Sequence, residues 1–324
     1  MNRYIRILAL SNLVILAVFP AALLAEPEVY GKLDLGLQNV DDESEPDDFW
    51  EVKNHASRFG VKGKADTDYE GLNIIYKLEW EVDVTDNANS SDDHIKARNQ
   101  FIGLQGGFGQ FIIGRHDTPL KTAQGKIDQF NDMDADIKVI MGGAENRESN
   151  IYQYTSPEIA GGVTVTLMAI PGEDPAGENN GLSDGTSFSV NYENESLYVA
   201  MAMDSDVEGD DTDASRLAGM WKFGDFGVGG LWQTSDFGMG EDEEVMIASA
   251  YYKIGNNKLK AQFGSADNYE GMPDTDAELM AVGYDIGLSK NSKLGFYYFS
   301  REGGDDLGSD QSRDVIGTQF VHGF

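Results

Sequence analysis

Residues 72–82 read Leu72-Asn73-Ile74-Ile75-Tyr76-Lys77-Leu78-Glu79-Trp80-Glu81-Val82. Every second residue, from Leu72 through Ile74, Tyr76, Leu78 and Trp80 to Val82, is apolar or aromatic, with Asn73, Lys77, Glu79 and Glu81 between them. Side chains alternate across a strand with period two and turn around a helix with period 3.6, so this spacing separates into two faces only in a strand. One face suits apolar surroundings and the other suits water. Similar stripes recur at 29–38 (Leu33, Leu35, Leu37), 163–169, 188–192, 197–203, 217–223, 294–298 and 316–324.

Extending this reading along the chain predicts sixteen strands, at 29–38, 57–66, 71–82, 97–105, 109–116, 149–156, 162–170, 185–193, 195–203, 214–223, 226–235, 244–254, 257–266, 276–288, 292–301 and 312–324. Within 244–254 both faces are largely apolar, which leaves the phase ambiguous. The connections alternate in length. Those at 39–56, 83–96, 117–148, 171–184, 204–213, 236–243, 267–275 and 302–311 are long. Those between are turns such as Thr67-Asp68-Tyr69-Glu70, Gly224-Asp225 and Gly255-Asn256. Even strand number with long loops at one end and short turns at the other is the pattern of an antiparallel transmembrane β-barrel. A soluble sandwich has no use for eight long hydrophilic loops on one side.

The first 25 residues differ in kind. Arg3 and Arg6 precede an apolar run over 7–24, and Ala25 precedes Glu26-Pro27. This is the order of a secretory signal peptide; no basic stop-transfer cluster follows, as an anchor would require. We therefore expect a leader at 1–25 and a barrel domain at 26–324, exported to the outer membrane. Without Arg3 and Arg6 the formal charge of −32 becomes −34, which argues against nucleic acid as a partner. The chain has no cysteine, so disulfides and thiolate metal sites are excluded.

The long connections are acidic, for example Asp204, Asp206, Glu208, Asp210, Asp211 and Asp213. Solvated exterior loops explain them, with no cofactor; weak Ca²⁺ or Mg²⁺ binding is the sharper alternative. The connection 117–148 is different. Beside Asp128, Asp132, Asp134 and Asp136 it carries Ile127, Phe130, Met133, Ile137, Val139, Ile140 and Met141, too apolar for an exposed loop. It is expected to fold into the lumen as a constriction and to present its carboxylates to the pore. Lys32, Arg58, Lys62 and Arg98 fall on the interior phase, opposite Leu33, Phe59, Val61 and Phe101, while Arg115 and Arg147 flank the loop. Cations on one wall and acids on the facing loop would set a transverse field that sorts solutes by charge.

Several motifs resemble the trimeric general porins of Gram-negative bacteria. They are Val29-Tyr30-Gly31-Lys32, Ser57-Arg58-Phe59-Gly60-Val61-Lys62-Gly63, Gly103-Leu104-Gln105-Gly106-Gly107-Phe108-Gly109 and Gly114-Arg115-His116-Asp117-Thr118-Pro119. Arg147-Glu148-Ser149-Asn150 with Tyr154-Thr155-Ser156-Pro157 matches that family's return from its constriction loop, and Phe324 its terminal aromatic. The resemblance implies a homotrimer of separate pores for small hydrophilic solutes and ions, embedded in outer-membrane lipid and lipopolysaccharide and inserted by the barrel-assembly machinery. It assigns Lys32, Arg58 and Arg98 to the basic wall and the acids of 128–136 to the loop. The family's Pro-Glu-Phe-Gly-Gly stretch is absent, and Met141-Gly142-Gly143 stands in its place.

The acidic balance leads us to expect a preference for cations. A substrate-specific porin is the alternative, though a sugar pore calls for an aromatic track and an anion pore for a ladder of cations. A barrel hydrolase is a remote reading, because His55, His94, His116 and His322 are the available bases and none adjoins a serine in a strand-end motif.

Overall fold

Strands with an apolar outer and a polar inner face leave two unpaired edges unless the sheet closes. In the computed structural model, which describes residues 27–85, 94–175, 177, 180–238, 240–305 and 311–324, it closes. The expected leader at 1–25 lies outside the described residues. The wall begins with β1 (Glu28–Asp42), β2 (Phe49–Asn54), β3 (Arg58–Asp66), β4 (Asn73–Val82), β5 (Ile95–Gly106) and β6 (Gly109–Asp117). It continues through β7 (Arg147–Thr155), β8 (Val163–Ile170), β9 (Gly185–Glu193), β10 (Leu197–Ser205), β11 (Asp213–Phe223) and β12 (Phe226–Asp236). It ends with β13 (Glu243–Ile254), β14 (Asn257–Asp267), β15 (Ala277–Ser289), β16 (Ser292–Glu302) and β17 (Ser312–Gly323). All pairings are antiparallel, and β17 returns to β1 in a register from Lys32↔Gly323 to Asp42↔Arg313. β2 and β3 both pair with β1, against residues 35–40 and 28–32. They are halves of one strand, broken at His55-Ala56-Ser57, where Ala56 has a φ of 50°. The seventeen segments therefore form a sixteen-stranded barrel.

Three local readings change. The first long connection shrinks to 43–48, because β1 runs on to Asp42 and 49–54 joins the wall. Trp50 and Val52 face outward there and Glu51 and Lys53 inward, an alternation hidden by the surrounding acids. In β5, Ala97 pairs with Trp80 and Gln100 with Leu78, so Arg98 and Asn99 together oppose Glu79. This bulge turns both inward and reverses the phase beyond it. Phe101 consequently faces the interior, against Ile75, Ile112 and Ile151, instead of the outward side the alternation suggested. The ambiguous β13 resolves with Val245 and Ile247 buried inside and Met246 outside. Both faces are apolar because each meets an apolar surface.

The barrel's seam ends on its last residue. Gly31 N donates to Phe324 O at 3.0 Å and Phe324 N to Gly31 O at 3.1 Å. The Phe324 ring covers Gly31 so closely that a Cβ there would lie 2.3 Å from it. We expect deletion of Phe324, or its replacement by Asp, to reduce the yield of heat-resistant protein in outer-membrane fractions. Unchanged yield would exclude a role for this residue in closing the seam.

Candidate functional site

The inner face of β10–β16 carries small and apolar residues, among them Ala200, Ala202, Ala218, Leu231, Ile247, Leu279 and Ala281. A water-filled lumen gains nothing from such a surface, and the connection between β6 and β7 covers it. Leu120, Ile127, Phe130, Ile137 and Ile140 of that loop are buried against it. Two short turns shape the segment. Thr118 caps α1 (Pro119–Thr122) by accepting from Lys121 N at 3.1 Å, and Asp136 caps a 3-10 turn over Ile137–Ile140 by accepting from Lys138 N at 3.1 Å.

Polar groups of the wall satisfy the loop's backbone on the same side. Gln262 accepts from Gln129 N at 2.9 Å and donates to Ala135 O at 3.0 Å. Lys260 donates to Gln129 O at 2.9 Å, and Glu243 accepts from Gly142 N at 2.8 Å. Arg216, fully buried on β11, pairs with Glu145 at 2.7 Å and donates to Leu120 O at 3.2 Å and to Gln233. Burial pushes the Glu145 carboxyl up, and Arg216 and Lys121 oppose that rise. Each tie removes a backbone group that would otherwise be buried without a partner.

From this pad the tip reaches the opposite wall. Asp132 accepts from Lys32 at 3.0 Å and pairs with Arg58. Asp134 pairs with Lys53 at 3.3 Å and accepts from Gln38 at 2.8 Å. Burial alone would raise both carboxyls. The cations outweigh it, holding Asp132 down at about 2 and Asp134 below its ordinary value.

The other two acids of the loop serve the loop. Asp128 accepts from Phe130 N at 2.8 Å, and burial together with the charge of Asp136 pushes its carboxyl well above the usual range. Asp136 accepts from Asp132 N at 2.8 Å as well as capping the 3-10 turn. Neither reaches a wall cation of β1–β3.

The remaining basic residues expected at the site stand on the β4–β7 wall with partners of their own. Arg98 donates to Glu79 at 3.1 Å and Glu81 at 2.9 Å. Arg147 pairs with Asp117 at 2.9 Å and donates to Asn99 at 3.0 Å, and Arg115 donates to Ser149 at 2.6 Å. Beside the tip lies a cavity of about 310 Å³ lined by Glu81 and Arg98 from the wall and Asp132 and Lys138 from the loop. Lys138 and Lys53 were not singled out by sequence. Lys53 was legible in the alternation of 50–53, whereas Lys138 has no signal beyond its place in the loop.

The latch has a predictable pH response. Asp132 titrates in the folded protein at about 2, below the ~3.9 of an unperturbed Asp. A depressed carboxyl contributes stability above its unfolded pKa and loses it as pH falls through the folded value. Here that amounts to roughly 2–3 kcal/mol. We expect single-channel conductance to show no step increase between pH 7 and pH 4 and an opening only on approach to pH 2. A step already at pH 5 would contradict this assignment.

The profile of the Gram-negative porin family matches residues 12–305. The chain is 26% identical over 200 residues to major outer membrane protein P.IB of Neisseria sicca, covering 56% of this chain and 54% of that protein. It is 30% identical over 192 residues to P.IB of Neisseria meningitidis serogroup B, covering 57% and 55%. The chain thus spans about half the length of the curated relatives it matches. Among solved structures, it superposes on an anion-selective porin from Comamonas acidovorans with a TM-score of 0.76 at 20% identity, over 93% of this chain and 100% of that one. The trimer form of OmpT, an outer membrane protein of Vibrio cholerae, gives 0.69 at 16% identity, over 93% and 100%. At these identities the structural likenesses show the fold.

Proposed function

The chain belongs to the Gram-negative porin family and to the outer membrane, and from that premise we propose that it forms a water-filled channel for passive diffusion of small hydrophilic solutes and ions. The observation that carries this reading is a loop anchored by its apolar side to one inner wall while its tip ion-pairs with the other. A sixteen-stranded barrel is wide enough to hold water, and such a loop narrows it without filling it. The family comprises channels and not enzymes.

The preference for cations remains our expectation. It rests on the acidic loops at the mouth, because Asp132 and Asp134 are already spent on Lys32, Arg58 and Lys53. That same pairing favours the rival reading, an anion-selective pore, since with both carboxylates neutralised the tip brings little net negative charge to the constriction. Reversal potential across a KCl gradient in a planar bilayer decides. Cation selectivity supports the first reading, and chloride selectivity would replace it with the second.

We further read the protein as a homotrimer in lipid and lipopolysaccharide, delivered by the barrel-assembly machinery. A wall with Leu33, Leu37, Ile316 and Phe320 exposed around the β1–β17 seam supports burial against lipid or a second copy. Divalent cations at the acidic loops would be loosely held counter-ions. Among the described residues no three His, Cys, Asp or Glu side chains converge on a metal position.

A further inference from the structure

The chain carries 56 acids against 24 lysines and arginines, yet one stretch of its inner wall is rich in lysine. It lies where β13, β14 and β16 meet their short turns, beside the arm of the loop that follows α1. Lys253 stands near the end of β13, Lys258 and Lys260 at the start of β14, Lys293 at the start of β16, and Lys126 on the loop. Lys253 and Lys258 are direct cross-strand partners. Like charges placed opposite one another destabilise a sheet. Lys293 and Lys126 add to the repulsion on Lys258, and Lys293 to that on Lys260.

Compensation within the fold is incomplete. Asp285, opposite Lys258 in the register, is shared by Lys293 at 3.0 Å and Lys260 at 3.6 Å. Asp128 also acts on Lys260, but its oxygens accept from the backbone of Phe130 and Ile137. Uncharged groups meet the lysines elsewhere. Lys258 donates to Gln129 Oε1 at 2.6 Å and lies 4.6 Å from the centre of the Tyr251 ring, with Lys253 5.7 Å from the same ring. Lys260 donates to Gln129 O and lies 4.3 Å from the centre of the Phe130 ring. A ring face attracts an ammonium group without neutralising it. Lys126 and Lys253 are exposed, Lys258 and Lys293 half-buried and Lys260 buried, so the surplus of positive charge opens on the lumen.

We propose that this lysine cluster binds a multiply charged phosphate anion that enters from the short-turn mouth of the lumen. Lysine ammonium groups are compact point charges with rotatable donors, which suit the oxygens of phosphate; the arginine fork that matches a planar carboxylate has no place in this set. Recognition is therefore by charge, with pyrophosphate ahead of phosphate and phosphate ahead of chloride. The lysines face inward, so the occupant is a free anion and not a lipid phosphate on the outer wall. The inference rests on the reading of a water-filled lumen, through which the anion must arrive.

The test titrates the purified protein in detergent calorimetrically with pyrophosphate and records KCl conductance in planar bilayers. Wild type is expected to bind one pyrophosphate per chain in low salt. Raising KCl from about 0.1 M to about 1 M shortens the screening length from about 10 Å to about 3 Å and is expected to weaken binding roughly tenfold. Lys253→Gln with Lys293→Gln should weaken it by about tenfold or more, and Lys126→Gln, exposed on the loop, by about threefold. Lys64→Gln, which removes one exposed charge from β3, should change it less than about twofold. Heat-resistant mobility on gels confirms that each variant is folded. The proposal is overturned if wild type takes up no pyrophosphate, if the Lys253/Lys293 and Lys126 variants bind it as wild type does, or if Lys64→Gln weakens binding as much as they do. Conductance separates the two readings. A lumen closed to KCl refutes the channel, whereas an open lumen without pyrophosphate binding refutes the site alone.

Discussion

Replacing Asp132 and Asp134 together with Asn is expected to move the permeability ratio several-fold toward anions. The same change at Asp128 and Asp136 is expected to move it little. All four are loop aspartates, but only the first pair touches Lys32, Arg58 and Lys53. Removing their charge leaves Arg58 without its carboxylate and leaves Lys32 and Lys53 with only Asp34 and Glu51 as ion-pair partners beside the loop tip. A unit charge about 10 Å away in water shifts an ion by roughly 0.4 kcal/mol, a factor of about two in local concentration. Two lost charges act oppositely on cations and anions, so the effects multiply, less what salt screens. Asp128 and Asp136 instead accept from backbone N–H groups, and their replacement should appear as a less stable loop and noisier current. Reversal potentials for the two double variants separate these outcomes. Equal shifts would mean the tip does not sit on the basic wall.

Arg216→Met is expected to be the most damaging single change in the lumen. Arg216 is fully buried beneath the loop and holds Glu145, Gln233 and the Leu120 carbonyl. Removing one partner of a buried pair costs about 3–5 kcal/mol, because the other charge stays behind without compensation. Replacing both with apolar groups is often close to neutral. Arg216→Met should therefore unfold at a markedly lower temperature on heat-modifiability gels, with larger and more variable conductance steps as the return arm comes away. Arg216→Met with Glu145→Leu should recover most of the stability. A single variant as stable as wild type would show that the apolar pad alone holds the loop.

The sequence by itself determined the wall and the loop's inward fold. Period-two alternation needs no knowledge of partners, because lipid outside and water inside impose it on each strand separately. The stripe at 72–82, the alternating long and short connections, and the apolar residues within 117–148 were each legible as local composition. The folded structure was needed wherever a residue's role depends on something distant or on a shift of phase. The bulge at Arg98-Asn99 turned Phe101 inward, and alternation read from sequence cannot register an extra residue. The inner apolar face of β13 made sense only once the loop lay on it. Above all, the four loop aspartates look alike in sequence, within nine residues of each other. What separates Asp132 from Asp128 is a contact with Lys32, 100 positions earlier, and with Arg58, 74 positions earlier. Pairings across a lumen are set by where two walls bring side chains together, and no local pattern encodes that distance.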